Sequence, residues 1–201
     1  MIVVLEGIDG AGKTTLARSL HEKFFNNGIP SDYFSFPSNS EVGEISNRLL
    51  SEKIDGINEY HRFCLSISDI INELYRSGGI IDKSNSGRLV ICDRFFLSTE
   101  VYQSEICQEA IQAAKEMVFM ECSNILIFFL DVSPDEAEKR RKKRPVVELY
   151  EDTSKLKKVY QTYKEKISEY HHDRCFIISE KNSIKENVEI IYEVCMSKMN
   201  H

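Results

Sequence analysis

The residues Gly7-Ile8-Asp9-Gly10-Ala11-Gly12-Lys13-Thr14 follow the pattern G-x-x-x-x-G-K-[ST]. A loop of this kind holds nucleotide phosphates. Its backbone N–H groups and the dipole of the following helix face the anion. The lysine ammonium reaches the β- and γ-phosphates, and the Ser/Thr hydroxyl is a hard oxygen ligand suited to Mg²⁺. The candidate nucleotide-binding residues are therefore Gly7, Ile8, Asp9, Gly10, Ala11, Gly12, Lys13, Thr14 and Thr15. A second acid, Asp93, ends the apolar run Arg88-Leu89-Val90-Ile91-Cys92 and is followed by Arg94. A Mg²⁺-linked carboxylate belongs at such a strand end, unless it only caps the next turn. Thr14 and Asp93 are the candidate metal residues, and Lys13, Asp93 and Arg94 the first catalytic candidates.

The loop needs a strand before it and a helix after it. Ile2 to Leu5 is a short apolar run that reads as a buried strand, and Lys13 onward carries Leu16, Leu20 and Phe24 on one helical face. Strand-like and helix-like segments then alternate, which predicts an α/β fold with a parallel sheet and helices on both faces. Further strands are expected at 32–36, 88–92, 125–131 and 175–178. Helices are expected at 41–50, 57–75 (ended by Gly78-Gly79), 98–122, 152–171 and 183–199. Pro134 suits the first turn of another helix. The basic run Lys139-Arg140-Arg141-Lys142-Lys143-Arg144 follows it and stops at Pro145. Such a run is a solvated face or a set of phosphate ligands.

A chain of 201 residues suits a single domain over 1–201 with a sizeable core. Its net charge of −6 predicts no nucleic-acid partner. No apolar run is long enough to span a membrane. The six cysteines form no C-x-x-C pair, and Met1 leads straight into the first strand, so a cytoplasmic protein with reduced thiols is expected. His171-His172 lacks the companions of a metal site and reads as a helix end. No N-K-x-D or D-x-x-G element accompanies the loop, and Ser179-Glu180-Lys181 only echoes a GTPase loop, so a GTPase is not expected.

Leu5-Glu6-Gly7-Ile8-Asp9-Gly10-Ala11-Gly12-Lys13-Thr14-Thr15 resembles the P-loop of thymidylate kinases. Asp93-Arg94-Phe95-x-x-Ser98-x-x-Val101-Tyr102-Gln103 resembles that family's D-R-Y-x-x-S-x-x-A-Y-Q. Phe36-Pro37 with Glu41-Val42-Gly43 resembles its acceptor segment, and Leu130 to Arg144 its strand and arginine-bearing LID. Tyr150-Glu151, Val159-x-x-x-Tyr163 and Ser179 with the last helix continue the likeness to the end of the chain. The resemblance implies a P-loop kinase fold, a five-stranded parallel sheet in the order 2-3-1-4-5 and a LID at about 138–150. It further implies Mg²⁺ as cofactor, a homodimer, and transfer of the ATP γ-phosphoryl group to dTMP, giving dTDP for dTTP biosynthesis. Arg94 would neutralise charge between donor and acceptor. Some members carry an arginine inside the P-loop; here that position is Gly10, so Arg140, Arg141 or Arg144 would serve, with Arg140 and Arg144 the chosen catalytic candidates. Asp9 would accept from the sugar 3′-hydroxyl, Tyr102 would lie against the deoxyribose, and Ser98 and Gln103 would approach the base. With Phe36, Pro37 and Arg94 these are the acceptor candidates.

Three acceptor positions depart from the family. Ser38-Asn39-Ser40 stands where an arginine is usual, Asp69 takes the arginine position of F-[SA]-A-[DN]-R, and Leu149 that of D-R-[FIY]-E. The base-stacking phenylalanine falls on Leu65, or on Phe63 in another register. A carboxylate at a phosphate clamp repels its ligand. Three explanations stand open: Arg48, Arg62 or Arg76 substitutes; the acceptor is another nucleoside or nucleoside monophosphate; or the chain is a nucleotide-binding regulator without efficient turnover.

Overall fold

The computed structural model describes residues 1–52, 54–103, 105–122, 124–142, 153–170 and 173–199. Five parallel strands form one sheet: β1 (Ile2–Glu6), β2 (Ser31–Ser35), β3 (Leu89–Asp93), β4 (Ile125–Asp131) and β5 (Cys175–Ser179). Their order is β2-β3-β1-β4-β5, as the resemblance implied. β1 is flanked on both edges and buried on both faces, which is why its first four residues are all aliphatic. Glu6, buried at the end of the strand, is the exception.

The helices are α1 (Lys13–Asn26), α2 (Glu41–Ser51), α3 (Glu59–Tyr75), α4 (Ile80–Asn85), α5 (Phe96–Tyr102), α6 (Gln108–Phe119), α7 (Pro134–Lys142), α8 (Thr153–Ile167) and α9 (Ile184–Met199). Pro134 opens α7, as its fixed φ and missing N–H favour. The stripe on α3 buries Phe63, Ile67, Ile70 and Leu74 in the core of this chain. The helix begins at 59 rather than 57, because Asn58 and His61 form a reciprocal capping box.

Two expectations are corrected. The stretch 98–122 is two helices. After α5 the chain turns at Gln103 and buries Ile106 at 2 % exposure before α6 opens, so the turn itself contributes to the core. Gly78-Gly79 does not end α3, which stops at Tyr75 with Arg76 as its C-cap; the glycines instead precede α4, a helix not anticipated. The helix expected at 152–171 is described as α8, ending at Ile167. Arg144, Leu149, Tyr150, Glu151 and His171-His172 lie outside the described residues.

Ligands of an open parallel sheet gather at the carboxyl ends of strands where the order reverses. Here β1 runs into Gly7 at that edge, β3 ends in Asp93, and β2 leads through a cis Phe36–Pro37 peptide towards α2.

Candidate active site

The P-loop wraps the end of β1 and the start of α1. Lys13 Nζ donates to the Gly7 carbonyl at 2.9 Å and the Ile8 carbonyl at 3.0 Å. Burial, and then the charge of Arg94, draw its pKa down to about 8 against the opposing pull of Asp9, Asp93 and Glu6. Thr14 Oγ1 donates to Asp93 Oδ2 at 2.5 Å, so the two candidate metal residues meet. A hydroxyl and a carboxylate oxygen side by side fit Mg²⁺, which takes few protein oxygens and completes its shell with phosphate and water.

Arg94 stands between this loop and an adjoining cavity. Its backbone is left-handed at φ 70°, uncommon for a residue with a Cβ, and its N–H donates to Leu5 O at 2.9 Å. The guanidinium pairs with Asp9 Oδ1, donates to Ser98 Oγ at 3.1 Å and lies over the Tyr102 ring at 5.3 Å. Burial pushes the Asp9 carboxyl up, but Arg94 and Lys13 pull it below its ordinary value.

The end of α7 lies against the loop. Arg140 Nε is held by Glu136 at 2.9 Å while Nη1 donates to the Ala11 carbonyl at 3.2 Å. Gly10 has φ 91°, and a Cβ there would meet the Ala137 carbonyl oxygen at 2.5 Å. No side chain fits position 10 while α7 keeps this place, and the cation that reaches the loop is Arg140 of α7.

Beyond Arg94 lies a cavity of about 720 Å³. Asp9, Phe36, Pro37, Arg94, Ser98, Tyr102 and Gln103 all line it, so every acceptor candidate is brought to one place. The α3 face contributes Glu59, Arg62, Ser66, Asp69 and Ile70. Neither Leu65 nor Phe63 is on the wall, and Phe63 is packed in the core. Asp69 does not stand free to repel a phosphate. At 1 % exposure it accepts from Ser38 N at 2.8 Å, Ser38 Oγ at 2.6 Å and Ser40 Oγ at 3.4 Å. Ser40 caps α2 by accepting from Gly43 N, so Asp69 ties the start of α2 to α3. Burial raises its pKa and the Ser38 hydrogen bonds oppose this. Of the three substitute cations, Arg62 alone lines this cavity, with its side chain 16 % exposed. Arg48 is exposed on α2, and Arg76 pairs with Glu73 and lies over Phe34 beside a second groove that also holds Asn39.

The family model for thymidylate kinase matches residues 5–191. The chain belongs to the thymidylate kinase family. A thymidylate kinase of Leptospira interrogans is 32 % identical over 170 residues, covering 81 % of this chain and 79 % of its own. A probable thymidylate kinase of Methanococcus aeolicus is 33 % identical over 167 residues, covering 83 % and 79 %. A thymidylate kinase of Thermoanaerobacter sp. is 28 % identical over 196 residues, covering 94 % of each. As a member of the thymidylate kinase family the chain is an ATP-dependent nucleoside monophosphate kinase, a transferase. None of its described helices is long and apolar enough to cross a membrane.

Sequence reasoning missed Glu6, Ser66 and Lys155 of this thymidylate kinase site, and it weighed Arg62 and Asp69 without being able to place them. Glu6 was readable as an acid inside an otherwise aliphatic strand. Arg62, Ser66 and Asp69 share a helical face, the i, i+4, i+7 spacing that also carries an apolar stripe, but nothing local says which side the cavity takes. Lys155 reaches the cavity wall from α8, remote in sequence from the rest. Glu180 of the Ser179-Glu180-Lys181 echo accepts from Ser133 N at 2.8 Å, fixing the start of α7 rather than reading a base.

Proposed function

We propose that this chain transfers the γ-phosphoryl group of ATP to dTMP, with donor and acceptor bound on either side of Arg94. The observation that carries this reading is the pairing of Arg94 with Asp9, where the P-loop and the cavity share a wall. Phosphoryl transfer needs in-line positioning and charge neutralisation rather than covalent help from the protein. Lys13 leaves two loop carbonyls to meet the β- and γ-phosphates. Thr14 and Asp93 would hold Mg²⁺, which when bound neutralises charge on those phosphate oxygens. Arg140 is the described LID arginine best suited to the donor, since it already reaches a P-loop carbonyl.

On the acceptor side, Arg94 faces the monophosphate and Asp9 accepts from the sugar 3′-hydroxyl. Tyr102 stacks on the deoxyribose, and Ser98 and Gln103 approach the base between the walls formed with Phe36 and Pro37. The commitment of Asp69 to Ser38 favours compensation of the lost arginine by Arg62 over a change of acceptor. We further infer action in the cytoplasm, supported by six free cysteines. A homodimer is supported by Tyr75 of α3 and Met117 of α6, 44 % and 43 % exposed.

The test is ADP release from ATP and Mg²⁺ with dTMP, dUMP, dCMP, dGMP, UMP, CMP or thymidine as acceptor. Turnover with dTMP far above the rest supports the reading; turnover with another acceptor instead refutes it. Arg94→Ala is expected to lower kcat by about 10³-fold with ATP affinity nearly unchanged.

A further inference from the structure

Glu6 takes no part in the chemistry above, yet its carboxylate is fully buried, at 0 % exposure, within the site. Its Oε1 accepts from the backbone N–H groups of Phe95 at 2.8 Å and Ser98 at 3.1 Å. Its Oε2 accepts from Ser98 Oγ at 2.6 Å and Tyr163 OH at 3.0 Å. The same two hydroxyl oxygens lie next to Arg94, whose Nη1 donates to Ser98 Oγ at 3.1 Å and Tyr163 OH at 3.5 Å.

Hydrogen-bond accounting fixes the direction of this network. A guanidinium only donates, an ionised carboxylate only accepts, and each hydroxyl has one proton. The Ser98 proton goes to Glu6, leaving its lone pairs towards Arg94. The Tyr163 proton goes to Glu6 or to Ser98 Oγ at 2.8 Å, and again the oxygen is left for Arg94. A carboxylate that never touches the guanidinium thus orients two acceptors at it. On the backbone side, Glu6 holds the N–H of Phe95, the residue that follows the left-handed turn at Arg94.

We propose that Glu6 is a positioning residue for Arg94, acting through the hydroxyls of Ser98 and Tyr163 to hold the guanidinium between donor and acceptor. An amide at position 6 keeps the shape but can donate as well as accept. It releases the Ser98 proton to turn towards Arg94, where it repels. This inference rests on the reading of Arg94 given above, so Arg94→Ala is measured in parallel.

Two variants test it. Tyr163→Phe keeps the ring stacked on Phe129 at 5.4 Å between centroids and removes only the hydroxyl. Glu6→Gln removes the charge. Glu6→Gln is expected to lower kcat about 10- to 100-fold with the KM for ATP within about twofold and no loss of melting temperature. Tyr163→Phe is expected to lower kcat roughly 3- to 10-fold, and the double variant to be no worse than Glu6→Gln, because the hydroxyl acts through the carboxylate. Wild-type kcat in Glu6→Gln, a loss that tracks a fall in melting temperature, or additive losses in the double variant would each overturn the proposal. If Glu6→Gln does not fold, wild-type kcat in Tyr163→Phe overturns it alone. Retained turnover in Arg94→Ala would instead overturn the role of Arg94 itself.

Discussion

Asp69→Arg would return to α3 the residue type the family usually carries there, and the structure predicts that turnover falls instead of rising. Asp69 accepts from the N–H and hydroxyl of Ser38, a residue only 8 % exposed. Each buried donor left without a partner costs about 1–3 kcal/mol. Two such donors give roughly 2–6 kcal/mol, partly offset because Ser40 Oγ, 2.8 Å from Ser38 Oγ, can take the hydroxyl proton and because Asp69 itself is destabilised by burial, so about 3 kcal/mol remains. For a domain of this size that lowers the melting temperature by about 6–12 °C. Release of Ser38 also frees the segment that joins the α2 cap to Phe36 and Pro37 on the cavity wall, so the KM for dTMP should rise about tenfold or more. Asp69→Asn still accepts from Ser38 N and should cost only about 1 kcal/mol. Calorimetry and ADP release with saturating ATP measure both effects. The reasoning fails if Asp69→Arg melts within about 2 °C of wild type and binds dTMP more tightly.

Other outcomes follow from the same geometry. Arg62→Ala should raise the KM for the acceptor about tenfold and leave that for ATP unchanged, as expected of a cation on the acceptor wall; an effect on ATP alone would refute its assignment. Gly10→Ala should lower kcat/KM for ATP at least ~10-fold, because the new Cβ displaces α7 or strains a left-handed turn. Wild-type kinetics there would mean α7 does not need its present place. Burial raises the Glu6 pKa above its ordinary 4.5 against the opposing pull of Ser98, Arg94 and Lys13. Between pH 4.5 and that raised value the folded state keeps a proton that the unfolded chain releases, and above it Glu6 is the ionised acceptor described above. This contribution to stability is complete below pH 4.5 and is lost as pH rises through the folded value. Melting of Glu6→Gln relative to wild type should gain steadily across that window, and a flat or shrinking difference would contradict the sign.

The sequence by itself determined the P-loop and its strand and helix, the alternation that makes a parallel sheet, and the Asp93-Arg94 pair. Each is a local signal: a glycine spacing, an apolar period, or a charged pair at a strand end. The same locality explains the errors. Residues 98–122 carry enough apolar side chains for one helix, and only the core shows that Ile106 is needed in a turn. What Asp69 does depended on Ser38, 31 positions away in the chain, and a lone aspartate on a helix cannot announce whether it repels a phosphate or anchors a loop. Which of Arg48, Arg62 and Arg76 reaches the cavity wall is likewise a matter of which way α2 and α3 turn when they pack. Glu6 stands out in its strand as a misplaced charge, but its partners come from α5 and α8 and meet it only in the folded sheet. Residue type and spacing specify chemistry that one segment can perform. Chemistry shared between segments is decided by packing, because hydrogen-bond partners are chosen by distance in space.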